Sequence, residues 1–217
     1  MQLIRFSRLA DVPLHYDRFE EASGFGYGTR GKPLTFRAVE GFVDAMEALF
    51  QDLFQRVPGR FGAAEVIATA GAYVDKPGYH GLGRAFDLDA LFFTKRDFVT
   101  LNFPSDPYFY LAVESVIRMH FGTVLNYDYD PAHRDHFHFD DGSAIGWKKY
   151  AKSHVVFVQN VLNHCYGMKV DVDGVFGPSS AQALGAVLSE LGIGAISNKA
   201  NWLAFLDRSA SEAFSRA

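Results

Sequence analysis

Two short segments, far apart in the chain, restrict the fold more than any other feature. Residues His133-Arg134-Asp135-His136-Phe137-His138-Phe139-Asp140 place three histidines within six positions. In a strand, successive side chains alternate faces, so His136 and His138 point the same way. Upstream, His80-Gly81-Leu82-Gly83-Arg84-Ala85-Phe86-Asp87 sets His80 seven residues before Asp87. The glycines at 81 and 83 allow the backbone to turn tightly before a strand that starts at Ala85. Asp87 on that strand can project into the same centre as the histidines. Each pattern is short taken alone. Together, in this order, they predict that the chain brings both strands to one site.

Histidine and carboxylate ligands suit Zn²⁺, and a catalytic zinc keeps three protein ligands and an open position for water. The metal lowers the pKa of that water toward about 7 and polarises a scissile carbonyl. A nearby carboxylate or imidazole then moves the proton to the leaving group. Cys165 is the only cysteine. An intrachain disulfide and a Cys-rich zinc ribbon are therefore both excluded, and a zinc site must use His and carboxylates.

The pattern around these segments predicts an α+β fold. Residues 1–34 read as mixed and loop-like, with Gly at 24, 26, 28 and 31. From Phe36 to Val57 the apolar positions 36, 39, 43, 46, 50, 53 and 57 predict an amphipathic helix, with Thr35 as its cap and Pro58-Gly59 as its end. Strands are predicted over 64–74, 85–93, 97–103, 123–129 and 136–140, with a helix over 107–120. This gives a small, mostly antiparallel sheet with flanking helices that carries the zinc site. Composition changes at the basic connector Lys148-Lys149-Tyr150-Ala151-Lys152. Helices are then predicted over 155–166, 179–191 and 200–214. The expected organisation is a catalytic domain over 1–150 and a three-helix module over 151–217.

The chain has 217 residues, 48% of them hydrophobic and 21% charged, the balance of a globular protein. Its 21 phenylalanines suffice for a sizeable aromatic core. A net charge of −4 gives no basic surface for nucleic acid. The N-terminus lacks the uninterrupted apolar region of a secretory leader, and no run is long enough to span a bilayer. The expectation is a soluble monomer without an N-terminal export signal.

At this point the residues resemble a known group. His80-x-x-Gly83-x-Ala85-x-Asp87 followed by His136-x-His138 is similar to the zinc peptidases of the D-alanyl-D-alanine carboxypeptidase (M15) type. The closer likeness is to the extensin-like C-terminal branch of that superfamily, through Gly71-Ala72-Tyr73, His80 to Asp87 and His133 to Asp140. The resemblance covers about residues 60–142. It implies that His80, Asp87 and His138 ligate zinc. It makes Asp135 the first candidate for general base and His136 the second, with His136 beside the metal water. His133, Arg84 and Tyr79 are the expected substrate-binding residues. Two departures stand out: Gly78 replaces a frequent serine, and Ala72 and Tyr73 occupy the place of an arginine that carboxypeptidase relatives use. The second departure favours an endopeptidase over a carboxypeptidase.

Residues 153–191 resemble a three-helix peptidoglycan-binding module. The matching residues are Phe157-Val158-Gln159-x-x-Leu162, Val172-Asp173-Gly174-Val175-Phe176-Gly177-Pro178 and Ser180-Ala181-x-Ala183-Leu184. The two resemblances together imply a zinc metallopeptidase that cuts stem peptides or cross-links of bacterial peptidoglycan. The chain would act in the cell envelope or periplasm, delivered as a phage endolysin or a secreted effector, with an immunity or inhibitor protein as a conceivable partner. The alternatives are a catalytically silent wall-binding protein and a zinc hydrolase of a small free dipeptide.

Overall fold

The structure, a computed structural model, describes residues 2–18 and 27–217. The predicted glycine-rich loop positions 24 and 26 lie outside the described residues. The chain folds as α+β: five helices flank one large sheet and a small two-stranded ribbon. In chain order the elements are β1 (Leu3–Phe6), β2 (Arg8–Leu9), β3 (Val12–Tyr16), β4 (Lys32–Pro33), β5 (Phe36–Val39) and α1 (Glu40–Arg56). Next come β6 (Ala64–Gly71), β7 (Ala85–Phe93), β8 (Asp97–Val99), α2 (Pro107–His120), β9 (Thr123–Leu125) and β10 (Phe137–Asp140). Helices α3 (Lys152–Tyr166), α4 (Pro178–Glu190) and α5 (Lys199–Arg216) close the chain. The large sheet runs β2-β3-β6-β7-β10-β9, with β4 beside β3 and β8 beside β7. Every pair in it is antiparallel except β3–β6. No helix among the described residues is long and apolar enough to cross a membrane.

Three sequence expectations need correction. Residues 1–34 are not merely loop: among the described residues four strands lie there, each too short to show a period. The helix predicted from Phe36 starts at Glu40, because Phe36–Val39 pairs with β1 as a strand. Phe36 and Ala38 are buried while Arg37 is exposed, an alternation of period two. Thr35 is therefore not the cap; Val39 is, and its N–H donates to the Gly83 carbonyl at 3.0 Å. The strands predicted over 97–103 and 123–129 stop at Val99 and Leu125, the first running into a 3₁₀ turn over Thr100–Asn102. Helix α1 ends at Arg56 as the Pro58 signal requires, since Val57 before proline is pushed to extended backbone (φ −58°, ψ 129°).

Helix α2 is the hub of the packing. One side meets the sheet through Tyr110 against Phe137 (4.4 Å between ring centroids) and Phe109 against Phe98 (5.2 Å). The other side meets α5 through Phe109 against Phe214 (6.1 Å). A helix packed on both sides has little polar face left, and Phe109 to Arg118 are all buried. Its buried Glu114–Arg118 pair is held by Asn126 and by the carbonyls of Val124 and Ser153. Those further partners matter, because a buried ion pair is weakly stabilising by itself. The buried side chains of α3, α4 and α5 join those of the sheet layer in one continuous core.

Candidate metal centre

Strands β7 and β10 build the site, and their register explains it. Phe137 lies opposite Leu88 and Phe139 opposite Phe86, and all four are fully buried. Locking those residues on the core face leaves the intervening His138 directly opposite Asp87 on the other face. The 80–83 turn completes the set. Gly83, at φ +65°, packs so closely on β5 that an added Cβ would lie 3.3 Å from the Ala38 Cα and the Val39 nitrogen.

The three expected ligands come together. The His80 Nε2 atom lies 3.1 Å from Asp87 Oδ1 and 3.1 Å from His138 Nδ1, and His138 Nδ1 lies 3.0 Å from Asp87 Oδ1. A tetrahedral zinc with bonds of about 2.0–2.1 Å separates its ligand atoms by about 3.3 Å. The triangle therefore has the size of one face of such a site. The outer partners set the tautomers. His80 donates its Nδ1 proton to the Ala72 carbonyl at 2.6 Å, which leaves the Nε2 lone pair for a cation. His138 donates from Nε2 to Asp140 at 3.2 Å, which directs its Nδ1 lone pair inward. Among the described residues, His80, Asp87 and His138 form a group able to hold a metal ion.

Charge follows the same geometry. Burial opposes ionisation of Asp87, but in the metal-free site the surrounding imidazoles of His138, His80 and His136 outweigh it and hold the carboxyl far below its ordinary value. Burial likewise disfavours the His138 imidazolium, but in the metal-free site Asp140 and Asp87 outweigh it and push its pKa up to about 9, so a cation would displace the Nδ1 proton. Cys165 is buried, and burial pushes its thiol up to about 12, so no thiolate competes for a cation.

His136 faces the same centre, with Nε2 3.7 Å from Asp87 Oδ1. Its Nδ1 donates to Asp135 Oδ1 at 2.7 Å. The other Asp135 oxygen accepts from Arg18 at 3.1 Å. Burial raises the Asp135 carboxyl, but the His136 hydrogen bond and the Arg18 charge outweigh that and keep it low. The Thr100 hydroxyl lies between the carbonyls of Asp89 and Asp135, at 2.8 and 2.5 Å, with one proton for the two acceptors, and so ties the loop before β10 to β7. His133 lines the same site, its ring 5.1 Å from that of His136 and 6.0 Å from that of His138, with Asp130 at 2.8 Å on Nδ1.

Tyr79 and Arg84 are brought together with each other. The Arg84 guanidinium lies over the Tyr79 ring at 5.7 Å and donates to Asp141 at 2.8 Å, while Tyr79 covers Gly142. Both belong to the turn before β7 and pack against the turn after β10.

Four functional partners escaped the sequence reading. Asp140 stands two positions after His138 and Asp89 two after Asp87, so strand alternation alone could have flagged both. Arg18 and the Ala72 carbonyl had no local signal. Arg18 grips buried Asp89 through two bonds of 2.7 and 3.1 Å, and it reaches Asp135 across 117 residues of sequence.

The fold and site thus define an α+β chain with a preformed His₂Asp cluster on two paired strands and the turn before the first of them. Residues 66–150 match the family model described as extensin-like protein C-terminus. No curated protein and no solved structure matches the chain.

Proposed function

We propose that this chain is a zinc-dependent peptidase that cleaves peptide bonds in bacterial peptidoglycan, cutting within stem peptides or cross-links. The observation that carries the reading is the triangle of His80 Nε2, Asp87 Oδ1 and His138 Nδ1, with sides of 3.0–3.1 Å, beside an imidazole held by a carboxylate. The donor set and its outer hydrogen bonds fit zinc. Zinc bound there would supply a Lewis acid and a water acidified toward about pKa 7.

The chain's own groups would do the rest. His136 is the proton carrier: its Nε2 faces the centre, and Asp135 fixes the tautomer that leaves this atom basic. It would take a proton from the attacking water and return it to the leaving amine. Both oxygens of Asp135 are engaged, one by His136 and one by Arg18, which favours an orienting role over that of a base. His133, held by Asp130, would line the substrate side.

The wall as substrate rests on the likeness of the C-terminal helices to a peptidoglycan-binding module. That likeness has a physical counterpart in how Gln159 organises the 173–175 turn. Its amide donates to Asp173 at 2.8 Å and accepts from the Gly174 N–H at 3.0 Å, with Gly174 at φ +75°. Attachment to an insoluble wall would raise the local substrate concentration without altering the chemistry. On this reading the chain acts in the cell envelope.

Digestion of purified sacculi, with and without a chelator, followed by mass spectrometry of the soluble products, tests the proposal. Chelator-sensitive release of peptides is expected, and the new termini will name the bond. A zinc-loaded protein that binds sacculi and releases nothing would replace this reading with that of a wall-binding protein. Activity on free dipeptides alone would replace it with a small-substrate hydrolase.

A further inference from the structure

We propose that a groove lined by Arg5, Arg8 and Arg37 binds the carboxylates of a short acidic peptide, and so docks the substrate whose peptide bond the metal centre would cut. The substrate class rests on the proposed function; the anion site does not.

The argument begins with a destabilising arrangement. Arg5 and Arg37 are directly opposite each other on the β1–β5 ribbon, and both are exposed. Like charges directly across a ladder repel and weaken it. Arg8 adds a third cation to the same groove of about 620 Å³. Among the described residues, no carboxylate lines the groove and none pairs with any of the three. The chain carries 25 acidic residues and a net charge of −4, so this concentration of positive charge runs against its overall balance. An anion from outside would relieve the repulsion.

The guanidinium groups are also held ready. Arg37 lies over the Tyr73 ring at 4.9 Å, which occupies its face and leaves its N–H edge for an acceptor. Arg8 is tethered to the Asp11 carbonyl of the turn that joins β2 and β3. In that turn Ala10 and Asp11 both take left-handed backbone, φ 48° and 62°, a conformation costly for residues with a Cβ.

Two features favour a peptide over a bare inorganic anion or a phosphodiester polymer. Pro13, Pro33 and Leu34 give the groove an apolar side beside its arginines, and Leu34 is 42% exposed. The volume suits a small ligand with apolar parts and a few charged groups. The groove is also linked to the metal centre through backbone hydrogen bonds. The Tyr73 N–H donates to the Arg37 carbonyl at 3.0 Å, and the preceding Ala72 carbonyl orients His80. A stem peptide, with its free carboxylates, could bridge the two.

The test is calorimetric titration of the full chain, kept metal-free by chelator, with a soluble stem tetrapeptide. The same peptide with its carboxylates amidated, and a glycerol-phosphate oligomer, serve as comparisons. The tetrapeptide should bind, and Arg37→Gln should weaken it by about tenfold or more, the usual loss for a charge-assisted contact. Arg5→Gln should act in the same direction, and amidation should mimic the substitutions. Removing one of two opposed charges should leave the melting temperature unchanged or raised, which separates lost binding from lost folding. Tetrapeptide affinity within about twofold of the original in a chain carrying both Arg5→Gln and Arg37→Gln would overturn the proposal. So would binding of the glycerol-phosphate oligomer but not the tetrapeptide. Because no turnover is measured, arginine-dependent binding by a protein inert on sacculi would leave the groove standing and remove only the hydrolase reading.

Discussion

His154 should make the fold acid-sensitive well above the range where most carboxylates titrate. Its ring is 3% exposed, stacked 5.8 Å from Trp202, and bonded through Nε2 to the Gly122 carbonyl at 3.1 Å. Its Nδ1 has no partner among the described residues. Burial is the main reason the imidazolium is disfavoured, and the nearby Arg118 and Lys148 charges add to it, against a small favourable contribution from Gly122. Together they lower its pKa to about 3. An unfolded chain returns it to about 6.5. As pH falls below 6.5 the unfolded state takes up a proton that the folded state refuses, so stability declines between pH 6.5 and 3. At about 1.4 kcal/mol per pH unit, roughly 2 kcal/mol is lost by pH 5, a large part of a typical 5–15 kcal/mol. Urea unfolding at pH 7 and pH 5, for the original chain and for His154→Gln, isolates this contribution because the carboxylates are common to both. Gln keeps a donor for Gly122 and cannot titrate. The gap between the two proteins should shift by about 2 kcal/mol in favour of the variant at pH 5. Equal pH dependence, or an NMR titration placing folded His154 near its ordinary value, would refute the reasoning.

Three other outcomes follow from the site and the packing. Asp140→Ala should weaken zinc affinity by about 10–100-fold with the fold intact, as measured by competition with a chromogenic chelator, because it frees the His138 tautomer. His136→Ala should retain metal and lose turnover by roughly 10²–10⁴-fold, with a smaller loss for Asp135→Asn; the reverse order in kcat would return the role of base to Asp135. Removing residues 151–217 should abolish cooperative thermal unfolding, because it strips α5 from α2 and exposes Phe109; an intact, sharply melting fragment would show that the first 150 residues fold alone.

The sequence made the centre of this protein more legible than its margins. His136 and His138 were placed on one face by alternation alone, and both face Asp87. The glycines around His80 announced the turn that returns the chain to β7. Helices α2, α3, α4 and α5 were readable because each is long, with clear end signals such as the prolines at 107 and 178. The N-terminal strands were not readable. Two to five residues cannot display a period, and β5 merges into an apolar pattern that continues at helical spacing through α1. Outer partners fell into two kinds. Asp140 and Asp89 follow from alternation on strands already identified, whereas Arg18 reaches Asp89 and Asp135 only because β3 packs beside β6. Nor did the sequence reveal that the last three helices share a core with the sheet layer, since amphipathic helices do not name what they cover.

The central claim is that His80, Asp87 and His138 are the ligands of one zinc ion. Its most direct test is the metal content of the purified chain after zinc loading and gel filtration, by mass spectrometry of the elements, for the original protein and for His80→Ala, Asp87→Ala and His138→Ala. The account predicts about one zinc per chain for the original and little for each variant, at unchanged helix content. Full zinc content in any of the three would remove that residue from the site, and full content in all three would contradict the account.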